Sequence, residues 1–269
     1  MTAPARELAD HVALVMGAGR GIGAAIAREL AAAGAAVVAA GRNVDALERL
    51  CAELRADGAT ALAVQADVTD ETAVAQAVNT AVATFGRLTV AVNNAAAHGS
   101  RPVPLAQLPV DQFDHTIAVT LRGVFLGLKY ELPAIAAAGG GSVVTIASTA
   151  GTQAVAGLAD YVAAKHAVIG LSATAALDYA ADGVRVNTVL PGPILTGALR
   201  SAGPAAQEHV AATLPLRRIG RAEEVAAAVR WLCGPASSFV TGAPLVVDGG
   251  RLAGTPSFGP PPITQERRT

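Results

Sequence analysis

The sequence predicts an α/β protein, a single doubly wound domain in which helices flank both faces of a mostly parallel, seven-stranded sheet. Short β-branched runs alternate along the 269 residues with longer alanine-rich segments that carry spaced charges. This rhythm is typical of repeated β-α units. The strand candidates are almost entirely apolar, as expected for strands that are covered on both faces. Neither a Pro/Gly/Ser-rich linker nor a repeat of solenoid period interrupts the pattern, which favours one domain.

The elements follow one another in the alternating order that such a sheet requires. The apolar, β-branched runs predict strands at Val12–Met16, Ala35–Ala40, Ala61–Gln65, Leu88–Val92, Ser142–Ala147, Arg185–Leu190 and Leu245–Val247. The segments between them predict helices at Gly21–Ala33, Val44–Ala56, Glu71–Phe85, Val110–Ala137, Asp160–Ala181 and Ala222–Leu232. We expect residues 1–253 to form the domain, with residues 192–216 as a lid over the active cleft. The tail 254–269 is rich in proline, which forbids regular structure there.

The amino-acid composition and charge indicate what kind of molecule the protein binds and where it is expected to work. The formal net charge is −1 and no lysine/arginine run is present, which argues against nucleic acid or a membrane surface and favours a small molecule. The longest uncharged stretch, Leu132 to Ala159, is broken by Gly139-Gly140-Gly141 and polar residues, so no membrane span is expected. Met1 to His11 is polar without an apolar signal region, which predicts a cytoplasmic protein. Cys51 and Cys233 lack metal-ligand spacing, and no metal is expected.

A glycine-rich turn follows the first predicted strand and opens the first predicted helix. Its spacing is G-x-x-x-G-x-G, and no Lys-Ser/Thr follows as in a Walker loop. Glycine permits a tight turn and a close approach of backbone amides to a pyrophosphate, and the helix N-terminus attracts the anion. A turn with a purely structural role is the alternative. The predicted phosphate-binding residues are Gly17, Gly19, Arg20, Gly21, Ile22 and Gly23.

The residues after the second predicted strand bear on the choice of cofactor. The strand leads into Gly41-Arg42-Asn43, without the acidic residue that NAD usually requires for its ribose 2′-hydroxyl. Arg42, together with Arg20 in the turn, offers two cations to a 2′-phosphate. NADP(H) is therefore favoured, with NAD(H) as the alternative if both arginines are ordinary solvated side chains.

A proton-transfer group is predicted at Tyr161-Val-Ala-Ala-Lys165. Residues four apart on a helix share a face, so the Lys165 ammonium would lie beside the Tyr161 phenol. A nearby positive charge favours the phenolate and is expected to lower the tyrosine pKa. Ser148, thirteen positions before the tyrosine, could hold a substrate oxygen. Together the three side chains are the predicted catalytic site.

Taken together, these motifs resemble the short-chain dehydrogenase/reductase family, whose fold is Rossmann-like, over roughly residues 9–250. Asp67-Val68 after the third predicted strand, Asn93-Asn94-Ala95-Ala96 after the fourth and Pro191-Gly192 after the sixth complete the likeness. The resemblance implies NAD(P)-dependent interconversion of a carbonyl compound and an alcohol. It makes Tyr161 the general acid/base, Lys165 the ligand of the nicotinamide ribose and Ser148 the residue that orients the substrate.

The resemblance also implies further cofactor contacts. Asp67 and Val68 would contact the adenine, Asn93 would lie along the cofactor, and Ile194 and Thr196 would reach the nicotinamide carboxamide. A helix cap at Asp67 or Thr196 and a strand-end hydrogen bond at Asn93 are the structural alternatives. The remaining cofactor-binding residues that it implies are Asn94, Ala95, Tyr161, Lys165, Pro191 and Gly192.

The sequence departs from the family pattern at three positions. Met16 replaces the usual threonine, Ala96 a glycine, and Thr120 an asparagine that normally holds a water in the proton relay. Thr120 is therefore a candidate catalytic residue with altered geometry. A nucleotide-binding homologue with weakened catalysis, and an epimerase or lyase that recycles its cofactor, remain alternatives to the dehydrogenase.

The expected substrate site and assembly follow from the remaining segments. Thr149–Leu158 and the lid are rich in Gly, Ala, Val and Leu, which favours a moderately apolar substrate. Arg101, Gln153 and Arg200 could each meet a polar group of that substrate or be solvated. The helices Val110–Ala137 and Asp160–Ala181 carry apolar faces on both sides. We expect them to pair in a homotetramer, with a homodimer as the alternative.

Overall fold

The computed structural model describes residues 6–97 and 102–254. Seven parallel strands form one sheet in the order β3-β2-β1-β4-β5-β6-β7. The strands are β1 (Val12–Met16), β2 (Ala36–Gly41), β3 (Ala61–Gln65), β4 (Val90–Asn93), β5 (Gly141–Ile146), β6 (Val184–Pro191) and β7 (Pro244–Val247). The helices are α1 (Gly21–Ala32), α2 (Val44–Ala56), α3 (Glu71–Phe85), α4 (Val110–Ile117), α5 (Gly123–Ala137), α6 (Ala159–Asp178), α7 (Gly197–Ser201), α8 (Pro204–Ala212) and α9 (Ala222–Cys233). The predicted fold class is confirmed.

The loops after β1 and β4 meet where the strand order reverses. β1 lies between β2 and β4, and Met16 pairs with Ala40 on one side and Asn93 on the other. In an open parallel sheet, such a switch point leaves a crevice outside the carboxyl ends of the strands. The glycine-rich turn after β1 and the Asn93-Asn94 pair at the end of β4 therefore border one crevice.

Apolar side chains cover the sheet on both faces. One buried cluster joins α1, α2 and α9 to the sheet and includes Ile26, Leu50 and Val229; the other joins α3, α5 and α6 and includes Val74 and Ile135. Both clusters are rich in alanine and valine, which let helices approach the sheet closely. The strands read as unbroken apolar runs because neither face of the sheet is left to water.

The predicted helix Val110–Ala137 is wrong in one respect, because it is two helices joined by a wider turn. α4 ends at Ile117, a π-helical turn spans Ala118–Arg122, and α5 begins at Gly123. A Cβ on Gly123 would lie 2.9 Å from Cγ2 of Val68, so the turn brings α5 against the loop after β3. An inserted π turn needs no helix-breaking residue, and the apolar pattern continues through it.

Most other boundaries differ from the predicted ones by one or two residues. The exception is the predicted Asp160–Ala181 helix, which ends at Asp178 and is followed by a 3₁₀ turn at Ala180–Asp182. The predicted lid contains two short helices, α7 and α8.

His98, Arg101 and the tail beyond Gly254 lie outside the described residues. Among the described helices, none combines the length and apolar character needed to cross a membrane.

Candidate active site

The glycine-rich turn folds so tightly that a side chain would not fit at Gly17 or Gly23. Gly17 and Gly21 have φ of 85° and 56°, in the left-handed region that favours glycine. A Cβ on Gly17 would lie 2.8 Å from the backbone N of Ala95, and one on Gly23 would overlap the carbonyl oxygen of Gly17. The loop after β4 thus packs directly on the turn, which leaves the backbone of the turn to face the crevice.

Asn94 braces this turn. Its Nδ2 donates a hydrogen bond of 2.9 Å to the Gly17 carbonyl oxygen, and its backbone N donates to the Met16 carbonyl oxygen at 3.0 Å. The sequence prediction places Asn94 and Ala95 among the cofactor ligands. In the structure their contacts with the turn hold the phosphate loop in shape.

The first turn of α1 has the features that a phosphate group requires. Arg20 occupies the N-cap position in an extended conformation, and no side chain caps the helix, so its first amides are not satisfied by a capping group. Ile22 packs against the core, which fixes the direction of the helix. Thr196 lies at the mouth of the turn, since its Cγ2 would be 3.5 Å from a Cβ on Gly21. These residues fit a dinucleotide pyrophosphate.

Arg42 and Asp67 lie near each other at the ends of β2 and β3. Both Arg42 and Arg20 are exposed, as partners of a 2′-phosphate must be. Burial raises the pKa of the Asp67 carboxyl, but two hydrogen bonds from Thr69 and the charge of Arg42 outweigh it and hold that pKa below its ordinary value. Val68 is buried in the core, so an adenine contact from Val68 would come chiefly from its backbone.

Lys165 lies beneath Tyr161 on α6 and is almost fully buried. The lysine is 1% exposed, its Nζ lies 5.6 Å from the centre of the Tyr161 ring, and it donates a hydrogen bond of 2.7 Å to the Ile146 carbonyl oxygen. The Ser148 side chain forms a hydrogen bond with the phenol and accepts one of 3.1 Å from the Ala150 backbone N. The structure therefore brings the three predicted catalytic side chains together.

The protonation behaviour of this cluster differs from the expectation drawn from the sequence. Burial raises the pKa of Tyr161, and the hydrogen bond from Ser148 lowers it only in part. Burial also lowers the pKa of Lys165 to about 7. The prediction of a net lowering of the Tyr161 pKa is wrong, because desolvation dominates in this buried site.

Thr120 contacts the loop after β4. Its Oγ1 accepts a hydrogen bond of 3.1 Å from the backbone N of Ala97, and the residue is fully buried in the π-helical turn. Lys165 donates its hydrogen bond to the Ile146 carbonyl oxygen and not to Thr120. The threonine thus fixes the approach of the loop to the π turn.

Asp160 is a buried residue near the site that the sequence reasoning did not single out. Its Oδ1 accepts a hydrogen bond of 2.8 Å from the backbone N of Tyr161, and its Oδ2 accepts one of 2.8 Å from Thr116 on α4. The carboxylate therefore ties the first turn of α6 to α4 and sets the position of Tyr161. An acidic residue in the first turn of a helix was the available signal.

The segment after β6 forms one side of the crevice. Pro191 ends β6, and a Cβ on Gly192 would lie 2.8 Å from Cα of Asp248, so the two loops touch. Ile194 is buried and forms a bridge with Gly220. Thr196, two residues further along the chain, is thereby directed toward the glycine-rich turn.

A cavity of about 560 Å³ continues from this segment under the lid. Gln153 lines it, whereas Arg200 is exposed on α7 and is not part of its wall.

His166 is exposed and forms a hydrogen bond with the Val162 carbonyl oxygen of its own helix. In the part of the chain that the structure describes, no cluster of three or more His, Cys, Asp or Glu residues could hold a metal.

The family model described as enoyl-(acyl carrier protein) reductase, from the short-chain dehydrogenases/reductases, matches residues 17–251. Cyclohexanol dehydrogenase of Acinetobacter sp. (strain SE19) is 41% identical over 240 residues, which cover 89% of this chain and 94% of that protein. A-factor type gamma-butyrolactone 1′-reductase (1S-forming) of Streptomyces virginiae is 42% identical over 247 residues, covering 90% and 96%. The chain belongs to the short-chain dehydrogenase/reductase family and is an enzyme that acts on CH-OH groups with NAD(P).

A solved relative has the same architecture. The structure of 7α-hydroxysteroid dehydrogenase in complex with NADH and 7-oxo glycochenodeoxycholic acid matches with a TM-score of 0.86 and 32% identity, covering 93% of this chain and 97% of that one. The two chains therefore share the fold that leaves a crevice at the switch point of the sheet.

Proposed function

We propose that the protein transfers hydride between NADP(H) and the carbinol or carbonyl carbon of a small, moderately apolar secondary alcohol or ketone. The arrangement of Ser148, Tyr161 and Lys165 carries the proposal: a phenol with a hydroxyl on one side and a buried amine beneath its ring. This is the set of groups needed to hold a substrate oxygen and to move one proton to or from it.

The chain's own residues handle the proton. When bound, the nicotinamide supplies or accepts the hydride. In the direction of reduction, Ser148 Oγ holds the carbonyl oxygen and Tyr161 Oη donates its proton to that oxygen. The protonated Lys165 Nζ stabilises the phenolate that remains, and in oxidation the phenolate takes the proton back. A Lys165 pKa of about 7 lets the amine change protonation state near neutral pH at little cost.

The cofactor preference rests on charge at the end of β2. Arg42 is exposed at this position and Arg20 is exposed in the turn after β1, and both are available to a 2′-phosphate. The rest of the proposed cofactor site consists of the glycine-rich turn, Asp67, Val68, Asn94, Ala95, Pro191, Gly192, Ile194 and Thr196. Lys165 would also hold the ribose next to the nicotinamide, as the family resemblance implies.

The cavity beyond this site has room for a ring-sized, moderately apolar substrate. Leu199, Val210 and Pro193 give it an apolar part, and the remaining wall is polar. The names of two relatives support an alicyclic carbinol or ketone, since one acts on cyclohexanol and the other is bound to a 7-oxo bile acid. Cyclohexanone and cyclohexanol are therefore the first compounds to test.

We also propose that residues 1–253 act as one domain, with residues 192–216 as its lid. The protein is further proposed to form a homotetramer, with a homodimer as the simpler arrangement. Large apolar side chains on α4, α5 and α6 support the assembly: Phe113 is 39% exposed, Phe125 48% and Leu177 81%. Surfaces of this kind are commonly buried between subunits. Light scattering of the purified full-length chain tests the oligomeric state.

Deuterium transfer tests the proposed reaction directly. NADPH carrying deuterium at nicotinamide C4 is mixed with cyclohexanone, and the alcohol is analysed by mass spectrometry. We expect one deuterium on the carbinol carbon from only one of the two C4-labelled epimers. An alcohol without deuterium from either epimer would contradict hydride transfer, and faster turnover with NADH than with NADPH would contradict the cofactor preference.

A further inference from the structure

Arg251 is a charged group in the cavity of about 560 Å³ between Pro193 and the helices α7 and α8, and the proposed proton transfer does not use it. It lines the cavity together with Gln153 and His209, while the lid contributes Leu199 and Val210. No aspartate or glutamate is among the described residues of this wall. Arg251 is partly buried, and within residues 6–97 and 102–254 it forms no ion pair. The cavity therefore combines apolar groups from Leu199, Val210 and Pro193 with a cation that has no counter-ion among the described residues.

The backbone around Arg251 is held in place rather than loose. The Asp248 carboxylate accepts two hydrogen bonds of 2.7 Å, one from the backbone N of Gly250 and one from that of Leu252. Gly249 and Gly250 have φ of 65° and 89°, which permits the tight turn. Both Asp248 oxygens accept from the backbone on either side of Arg251, so that carboxylate shapes the turn and forms no ion pair with the guanidinium.

The same turn is attached to both sides of the cavity. The backbone N of Leu216, at the end of the lid, donates a hydrogen bond of 3.1 Å to the Gly249 carbonyl oxygen. On the other side, Asp248 touches Gly192 at the start of the lid. Arg251 is thus carried on a segment joined to both ends of the lid, so its position is set before a substrate binds.

We propose that Arg251 binds a carboxylate on the substrate, and that the preferred substrates are hydroxy or oxo acids with an apolar, ring-sized body. The planar donors of a guanidinium match a carboxylate in a bidentate geometry. A partly desolvated cation without a counter-ion is complemented best by an anionic ligand. The amide of Gln153 adds a hydrogen-bonding group to the same wall. This inference rests on the proposed function, because it assigns the far end of the same substrate site.

A matched pair of ketones tests the assignment. The acid 4-oxocyclohexanecarboxylate and its neutral amide have nearly the same shape, so their kcat/KM values differ chiefly by the charge. We expect the acid to be favoured at least 10-fold by the wild type, mainly through KM. Arg251→Gln should remove that preference, whereas Arg251→Lys should keep part of it. Arg200→Gln is the control, since it removes a cation from the exposed surface of α7 outside the cavity.

A binding measurement keeps the test independent of turnover. Calorimetry of the wild type saturated with NADP⁺ compares cyclohexanecarboxylate with cyclohexanecarboxamide. We expect the acid to bind at least 10-fold more tightly, and the Arg251→Gln variant to bind the two equally. Equal affinities in the wild type, or no binding of either, would overturn the role of Arg251. Failure to reduce any ketone while the acid binds selectively would instead contradict the proposed function.

Discussion

The buried carboxyl of Glu131 should make the free energy of unfolding fall as the pH rises. Glu131 on α5 is fully buried, and its Oε2 accepts a hydrogen bond of 2.6 Å from Nδ2 of Asn93 at the end of β4. Its Oε1 has no hydrogen-bond partner in the described part of the chain. Burial raises the pKa of Glu131 to about 7 from an ordinary value of 4.5, and the bond from Asn93 lowers it only in part. The folded protein therefore holds this group in its neutral form more firmly than the unfolded chain does.

The sign and size of the effect follow from this difference in pKa. Well below pH 4.5 the Glu131 carboxyl is neutral in the folded and in the unfolded state, so its ionisation does not change the free energy of unfolding there. As the pH rises from 4.5 through 7, the unfolded chain loses its proton first, so the free energy of unfolding falls. A pKa difference of 2.5, at 1.36 kcal/mol for each pKa unit, corresponds to about 3 kcal/mol lost by pH 8.

The substitution Glu131→Gln removes the titration while keeping the shape and an acceptor for Asn93. The amide carries a fixed penalty of its own, because its NH₂ group takes the place of the unpaired Oε1, but that penalty does not change with pH. We expect the free energy of unfolding of the variant, relative to wild type, to rise by about 3 kcal/mol between pH 4.5 and pH 8. Urea unfolding at four pH values measures it, with Glu223→Gln on the exposed first turn of α9 as the control. Curves that stay parallel for Glu131→Gln and wild type would refute the reasoning.

Three further substitutions test the cofactor site and the region next to the catalytic residues. Gly23→Ala should weaken NADPH binding at least 10-fold, because the added Cβ overlaps the Gly17 carbonyl oxygen; Gly170→Ala, whose Cβ would meet no atom within 4 Å, should leave binding unchanged in the same fluorescence titration. Arg42→Asp should shift the ratio of kcat/KM values toward NADH by at least 10-fold, and an unchanged ratio would mean that Arg42 does not face the 2′-phosphate. Thr120→Asn should change the turnover number and its pH profile, since it replaces the hydroxyl that bonds Ala97; identical profiles would show that this position takes no part in proton movement.

The sequence was a good guide to the fold because its patterns are local and repeated. Apolar runs and alanine-rich segments located all seven strands, and glycine spacing located the turn after β1, because Gly17 and Gly21 adopt a backbone that other residues avoid. The four-residue spacing of Tyr161 and Lys165 put their side chains on one face of α6, as the structure has them. Each of these features depends on neighbours in the chain.

Features that depend on tertiary contacts were not accessible in the same way. The π turn at Ala118–Arg122 leaves the apolar pattern unbroken, and so it was missed. The predicted direction of the shift in the Tyr161 pKa was wrong. The spacing of Tyr161 and Lys165 in the sequence reveals the nearby lysine but not the burial of both side chains. Glu131 gave no recognisable signal, since its partner Asn93 lies on another element. Asp160 carried only the general signal of an acidic residue in the first turn of a helix, and its partner Thr116 lies on another element.

The central claim is that the Tyr161 phenol moves the proton at the substrate oxygen. Replacing Tyr161 with Phe removes that proton and leaves the glycine-rich turn untouched. Steady-state reduction of cyclohexanone, together with a fluorescence titration of NADPH, measures both effects on the same variant. We predict that kcat falls by about 10²–10⁴-fold while the dissociation constant of NADPH changes less than threefold. A Tyr161→Phe enzyme that keeps its turnover number would contradict the account.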